Sequence, residues 1–108
     1  MIRERNAARP QEIAVRRHNL ALLQRIADDV VEEYKTIPYA TLLHPRTPLD
    51  AETTVNGVLV SWNVEIPRKG ANGDICVDIE FHTDLPTILG AKPARSFWKR
   101  SDNTVIST

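Results

Sequence analysis

The spacing of apolar residues changes along this chain, from about 3.6 residues in its first third to about 2 in its second half, and this change constrains the fold more than any other feature. Between Gln11 and Lys35 the apolar positions recur at steps of three and four: Ile13, Leu20, Leu23, Ala27, Val30, Val31 and Tyr34. This spacing predicts one helix of about 24 residues with a single buried stripe. We expect it to be interrupted at most near His18 and Asn19, and to end before Pro38.

The second half of the chain alternates apolar and polar residues, as strands with one buried face do. Residues 58–66 and 75–82 alternate in this way, and a polar segment rich in turn formers, residues 67–73, separates them. A second hairpin is predicted over residues 96–107, turning around Asp102 and Asn103, which tolerate left-handed backbone. A long helix followed by hairpins without further long helices predicts an α+β fold: one N-terminal helix packed on a small antiparallel sheet of about four strands, in two hairpins.

The organisation of the rest is less regular. We expect residues 1–9, which are polar and Arg-rich, to form a flexible basic arm, and residues 10–108 to form a single domain. Three prolines interrupt residues 36–56, where Thr47–Asp50 has the sequence of a short capped helical turn. A second short turn, closed by glycine, is predicted between Asp84 and Gly90.

Charge and composition exclude several classes of function. The chain has 14 basic and 14 acidic residues, and this balance argues against non-specific nucleic-acid binding. No apolar run approaches the roughly 20 residues of a membrane helix. Neither a glycine-rich phosphate loop nor a zinc-binding spacing of Cys and His is present, so we expect no metal and no cofactor. The single Cys76 and the absence of an apolar leader favour the cytoplasm.

One strand carries residues that are able to do chemistry. Asp78, Glu80 and His82 alternate along the second predicted strand and therefore share a face, with Glu65 on the neighbouring strand. Carboxylates and an imidazole in parallel suit a metal-dependent, nuclease-like hydrolase. The competing interpretation is the polar, solvent-facing side of a half-buried strand, which places the same residue types there without any activity.

The end of the helix carries a clearer indication of binding. Asp28, Asp29, Glu32 and Glu33 lie in its last turns, where the helix dipole favours cations by a few tenths to about 1 kcal/mol per charge. The charge pattern is therefore polarised, since residues 1–25 sum to +4 and residues 26–35 to −3. Compensation is expected either from the last hairpin, through Arg95, Lys99 and Arg100, or from a basic surface on a partner protein. A merely solvated face is the third interpretation.

The last hairpin offers a second surface. Phe97 and Trp98 are adjacent, so on a strand they point to opposite faces and only one of them enters the core. Trp98 and Arg100 are therefore candidate partner contacts, since Trp and Arg often carry binding energy. An edge strand in this hairpin also allows a homodimer. Stacking of nucleic-acid bases on Trp98, with the Arg-rich N-terminus on the phosphates, is a weaker alternative.

These observations favour a small, non-enzymatic, cytoplasmic binding protein. Its concrete form is an inhibitor of the immunity or antitoxin type, or another regulator, which uses Asp28, Asp29, Glu32, Glu33, Trp98 and Arg100 toward a protein partner. The alternatives are the metal-dependent hydrolase that uses Asp78, Glu80 and His82, and a nucleic-acid binder that uses the arm and Trp98.

Overall fold

A single long helix opens the structure. The computed structural model describes residues 10–107, apart from the side chains of Arg68, Ala71 and Ser107, so the predicted basic arm lies outside the described residues. Helix α1 spans Pro10–Lys35 and is continuous through His18 and Asn19. Proline suits the first turn because its missing N–H has no partner to donate to there.

The strands form one antiparallel meander. Strands β1 (Ala51–Val55), β2 (Val58–Lys69), β3 (Ile75–Thr83), β4 (Ala94–Lys99) and β5 (Val105–Ser107) lie side by side in chain order. The predicted α+β class and the two predicted hairpins are confirmed, but the sheet has five strands rather than four. The additional strand, β1, is an edge strand with four of its five residues exposed, so it lacks the alternation that marks a half-buried strand.

The segment between α1 and β1 differs from the prediction. Its helix is α2, Tyr39–Leu43, which begins just after Pro38 and buries Leu42. The expected helical turn at residues 47–50 is absent from the described structure. Asp50 has another use there, because its Oδ1 accepts a hydrogen bond from the N–H of Val64 at 2.8 Å and thereby satisfies a strand donor beyond the end of β1.

The turn expected between residues 84 and 90 is present only at its end, as a 3-10 turn at Ile88–Gly90. Its middle residue, Leu89, has left-handed backbone with φ 54°. The turn is therefore closed by two successive left-handed residues, Leu89 and Gly90, rather than by glycine alone.

The core lies between α1 and one face of the sheet. The apolar stripe of α1 packs onto alternate residues of β3 and onto Phe97 of β4, and the contacts Asp28–Arg95 and Lys35–Lys99 show that α1 runs along β4 in the same direction. The fully buried side chains here include Leu23, Val60, Ile75, Val77, Ile79 and Phe97. Burial of a side chain of this size contributes about 1.5–3 kcal/mol.

The opposite face of the sheet, called the outer face below, is formed by the other set of alternating residues. Cross-strand neighbours on it include Glu65, Asp78 and Ser96 in one row and Cys76 and Trp98 in the next. A bulge in β2 between Glu65 and Arg68 inserts one residue relative to β3. No described helix is long and apolar enough to cross a membrane.

Candidate functional site

The first of the predicted binding residues is engaged within the chain. Asp28 accepts a hydrogen bond from Nε of Arg95 at 2.9 Å, which joins α1 to β4. The Asp28 side chain remains largely exposed, so this ion pair is worth less than about 1 kcal/mol. It supplies part of the internal compensation that the charge pattern predicts.

A buried lysine adds to that compensation at the end of the helix. Lys99 is 3% exposed, and its Nζ donates a hydrogen bond of 2.6 Å to the main-chain carbonyl of Lys35. Burial lowers the pKa of the Lys99 ammonium group. A cation at this position satisfies one of the last carbonyls of α1 and interacts favourably with the helix dipole.

Three carboxylates remain on the solvent side of α1. Glu32 forms an ion pair with Lys35 at 2.8 Å, whereas Asp29 and Glu33 make no ion pair with any residue that the structure describes. All three are exposed, and their spacing of three and four residues places them on one side of the helix. We call Asp29, Glu32 and Glu33 the acidic ridge.

The other two predicted partner contacts belong to a different part of the surface. Phe97 is fully buried under α1, so its neighbour Trp98 lies on the outer face, as the alternation predicts. The Trp98 ring packs against Gly70, where an added Cβ would lie 3.1 Å from it. Arg100 approaches Asp74 at 3.7 Å. A single flat partner surface therefore does not contact both Trp98 and the acidic ridge.

The candidate catalytic residues share a face as predicted, but they do not converge. Asp78 is half-buried, whereas Glu80 and His82 are exposed. Nε2 of His82 lies 2.6 Å from Oδ1 of Asn63, which is diagonal to it on β2, since the register pairs His82 with Ser61. No three His, Cys, Asp or Glu side chains in residues 10–107 come close enough to hold a metal ion.

Cys76 occupies the outer face beside these residues. Its Sγ donates a weak hydrogen bond to Oδ1 of Asp78 at 3.5 Å, and its side chain is buried. The packing of neighbouring side chains leaves Cys76 only 1% exposed. A buried thiol behaves as a small apolar residue.

Sequence reasoning missed an apolar surface at the other end of α1. Leu89 is 98% exposed and Val15 is 55% exposed. Val15 lies outside the predicted stripe, and Leu89 lies in a segment for which the sequence indicates only a turn. Nothing in a local pattern shows whether such a residue turns inward, so only the packed structure reveals this surface.

Comparison with known proteins adds no relative. No protein-family model matches the chain, and no curated protein or solved structure matches it.

Proposed function

We propose that this protein is a non-enzymatic binding protein, of the immunity or antitoxin type, which engages a basic protein partner in the cytoplasm through its acidic ridge. The observation that carries the proposal is the division of the four helix carboxylates. The fold provides Arg95 for Asp28 and Lys35 for Glu32, but no described residue pairs with Asp29 or Glu33.

The position of these two carboxylates is unfavourable for the isolated chain. Glu33 lies in the last turn of α1, where the carbonyl end of the helix dipole repels negative charge, and Asp29 adds a second negative charge one turn earlier on the same side. The sheet offsets this with the buried Lys99, which approaches the helix end from beneath, whereas Asp29 and Glu33 project into solvent. A basic partner surface would supply the missing cations and would accelerate the encounter by electrostatic attraction.

The experiment compares two double charge reversals that change the net charge equally. Asp29→Lys with Glu33→Lys removes the acidic ridge, and Glu52→Lys with Glu65→Lys alters exposed positions on the outer face. Each tagged protein serves as bait for the products of the genes that adjoin its own, because an inhibitor is usually encoded beside its target. A recovered partner is then purified, and its affinity is measured by calorimetry at low and high salt.

We expect the wild type and the outer-face variant to bind the same basic partner, with an affinity that falls as salt rises. The ridge variant should fail to bind while remaining folded by circular dichroism. Equal binding by the ridge variant would overturn the proposal, and so would a partner that only the outer-face variant loses.

A further inference from the structure

Leu89 combines two unfavourable features. Its side chain is 98% exposed, and its backbone is left-handed, with φ 54°. A side chain with a Cβ is strained in that conformation, and glycine, asparagine and aspartate adopt it more readily. Such strain persists where surrounding contacts hold it, and it often accompanies function.

The contacts that hold Leu89 are present on both sides of it. The N–H groups of Gly90 and Ala91 donate to the carbonyls of Thr87 and Ile88 at 3.2 and 3.0 Å. The buried Thr87 also donates from its Oγ1 to the Ala91 carbonyl at 2.7 Å. These hydrogen bonds hold the backbone of the segment in place, and the leucine side chain points into solvent.

The same segment is fastened to α1. Nδ2 of the buried Asn19 donates to the Pro86 carbonyl at 2.7 Å. One turn earlier on that side of the helix lies Val15, 55% exposed, and next to it is a cleft of about 350 Å³ lined by Gln11, Glu12, Val15, Arg16 and Pro86. Pro86, which lines this cleft, lies three residues before the exposed Leu89 in the same segment.

The first nine residues of α1 bury little of their surface against the rest of the described chain. Every residue in 10–18 is exposed except Ile13, which is half-buried. In proteins most of the stability of a helix comes from packing of its apolar side, and these residues contribute little to that packing. One side of the start of α1 is therefore covered by no residue in the described part of the chain, and the cleft lies on that side.

The charges around the cleft indicate what covers it. Glu12 and Arg16 both line it, and neither makes an ion pair with a described residue. If two copies of the segment pack antiparallel about a two-fold axis, Glu12 of each copy faces Arg16 of the other. A uniformly acidic surface would instead repel Glu12. A second copy of the same segment presents one charge of each sign, so the patch is complementary to itself.

We propose that two copies of this chain form a symmetric dimer through the start of α1, with Leu89 of each copy entering the cleft between Val15 and Pro86 of the other. In a two-fold interface each copy uses the same surface, so that surface must carry both the protruding residue and the cleft that receives it. The strand-pairing dimer that the sequence allows at the last hairpin would pair along β5, which is only three residues long in the described structure. The acidic ridge lies on later turns of α1 and is not needed for this contact.

The test is sedimentation velocity of the full chain over a wide range of concentration. Leu89→Asn removes the protruding leucine and places at this position a residue that tolerates left-handed backbone. The matched control is Leu59→Asn, at a leucine that is 51% exposed on the outer face. We expect the wild type and the control to dimerise with the same affinity, and the Leu89 variant to dimerise at least about tenfold more weakly. The monomeric Leu89 variant should be at least as heat-stable as the monomeric wild type.

Charge swapping tests the two-fold geometry. Glu12→Arg and Arg16→Glu should each weaken dimerisation, because each places like charges opposite one another. The double variant restores opposite charges across the axis and should recover dimerisation. A wild type that stays monomeric at every concentration, a Leu89 variant that dimerises normally, or a double variant no better than either single one would each overturn the proposal.

Discussion

Lys99 of β4 reaches across the core and donates a hydrogen bond of 2.6 Å from its buried ammonium group to the carbonyl of Lys35, the last residue of α1. The buried lysine therefore does two things that, at an exposed helix end, water does in part. It satisfies an otherwise unpaired carbonyl, and it places a full positive charge at the negative end of the helix dipole.

The first prediction concerns pH. Burial lowers the pKa of Lys99 in the folded state below its ordinary value of 10.5. Between the two pKa values the unfolded chain holds a proton that the folded chain has lost, so the Lys99 contribution to the free energy of unfolding rises with pH in that window. Below the folded-state pKa that contribution is constant.

Urea denaturation of wild type and Lys99→Met over a series of alkaline pH values measures this contribution as a difference. The difference between the two proteins isolates the contribution of residue 99. We expect the wild type to gain stability relative to Lys99→Met as pH approaches 10.5. A difference between wild type and Lys99→Met that stays constant with pH would contradict the prediction.

The second prediction concerns the acidic ridge. Asp29→Lys with Glu33→Lys should raise the free energy of unfolding by a few tenths to about 1 kcal/mol per charge at low salt, since cations replace anions at the carbonyl end of α1. Urea denaturation at low and high salt measures the gain, which should shrink with salt. A less stable variant would mean that these carboxylates have a structural role.

The third prediction separates two adjacent aromatic residues. Phe97 is fully buried between sheet and helix, whereas Trp98 is half-buried on the outer face. Phe97→Ala should therefore cost about 3–5 kcal/mol, and Trp98→Ala less than about half of that. Chemical denaturation of both variants compares them directly. Equal losses would show that the outer face contributes to stability as much as the core.

The fourth prediction concerns the contact between Asp28 and Arg95. A double-mutant cycle with Asp28→Ala and Arg95→Ala should give a coupling free energy of less than about 1 kcal/mol, because the carboxylate is largely exposed. The coupling should fall with added salt. A larger, salt-independent value would indicate that this ion pair is more strongly desolvated than its exposure implies.

Much of the fold is determined by local patterns. The stripe of α1, the alternation of β2 and β3, and the opposite orientation of Phe97 and Trp98 all follow from the 3.6-residue and 2-residue periods of the backbone. Strand β1 has no such pattern because both of its faces are exposed over residues 51–54. The Thr47–Asp50 sequence suits a helical turn. In the folded chain Asp50 instead accepts a hydrogen bond from the Val64 N–H, because β2 lies next to it.

The surfaces depend on which distant residues meet. The sequence by itself determined that four carboxylates crowd the end of a helix, but only the tertiary structure decided that Arg95, 67 residues away from Asp28, pairs with it and that Asp29 and Glu33 have no described ion pair. It likewise decided that Leu89 points outward from a braced turn. Periodicity is a property of neighbouring residues along the backbone, whereas partners across a core are selected by how the elements pack.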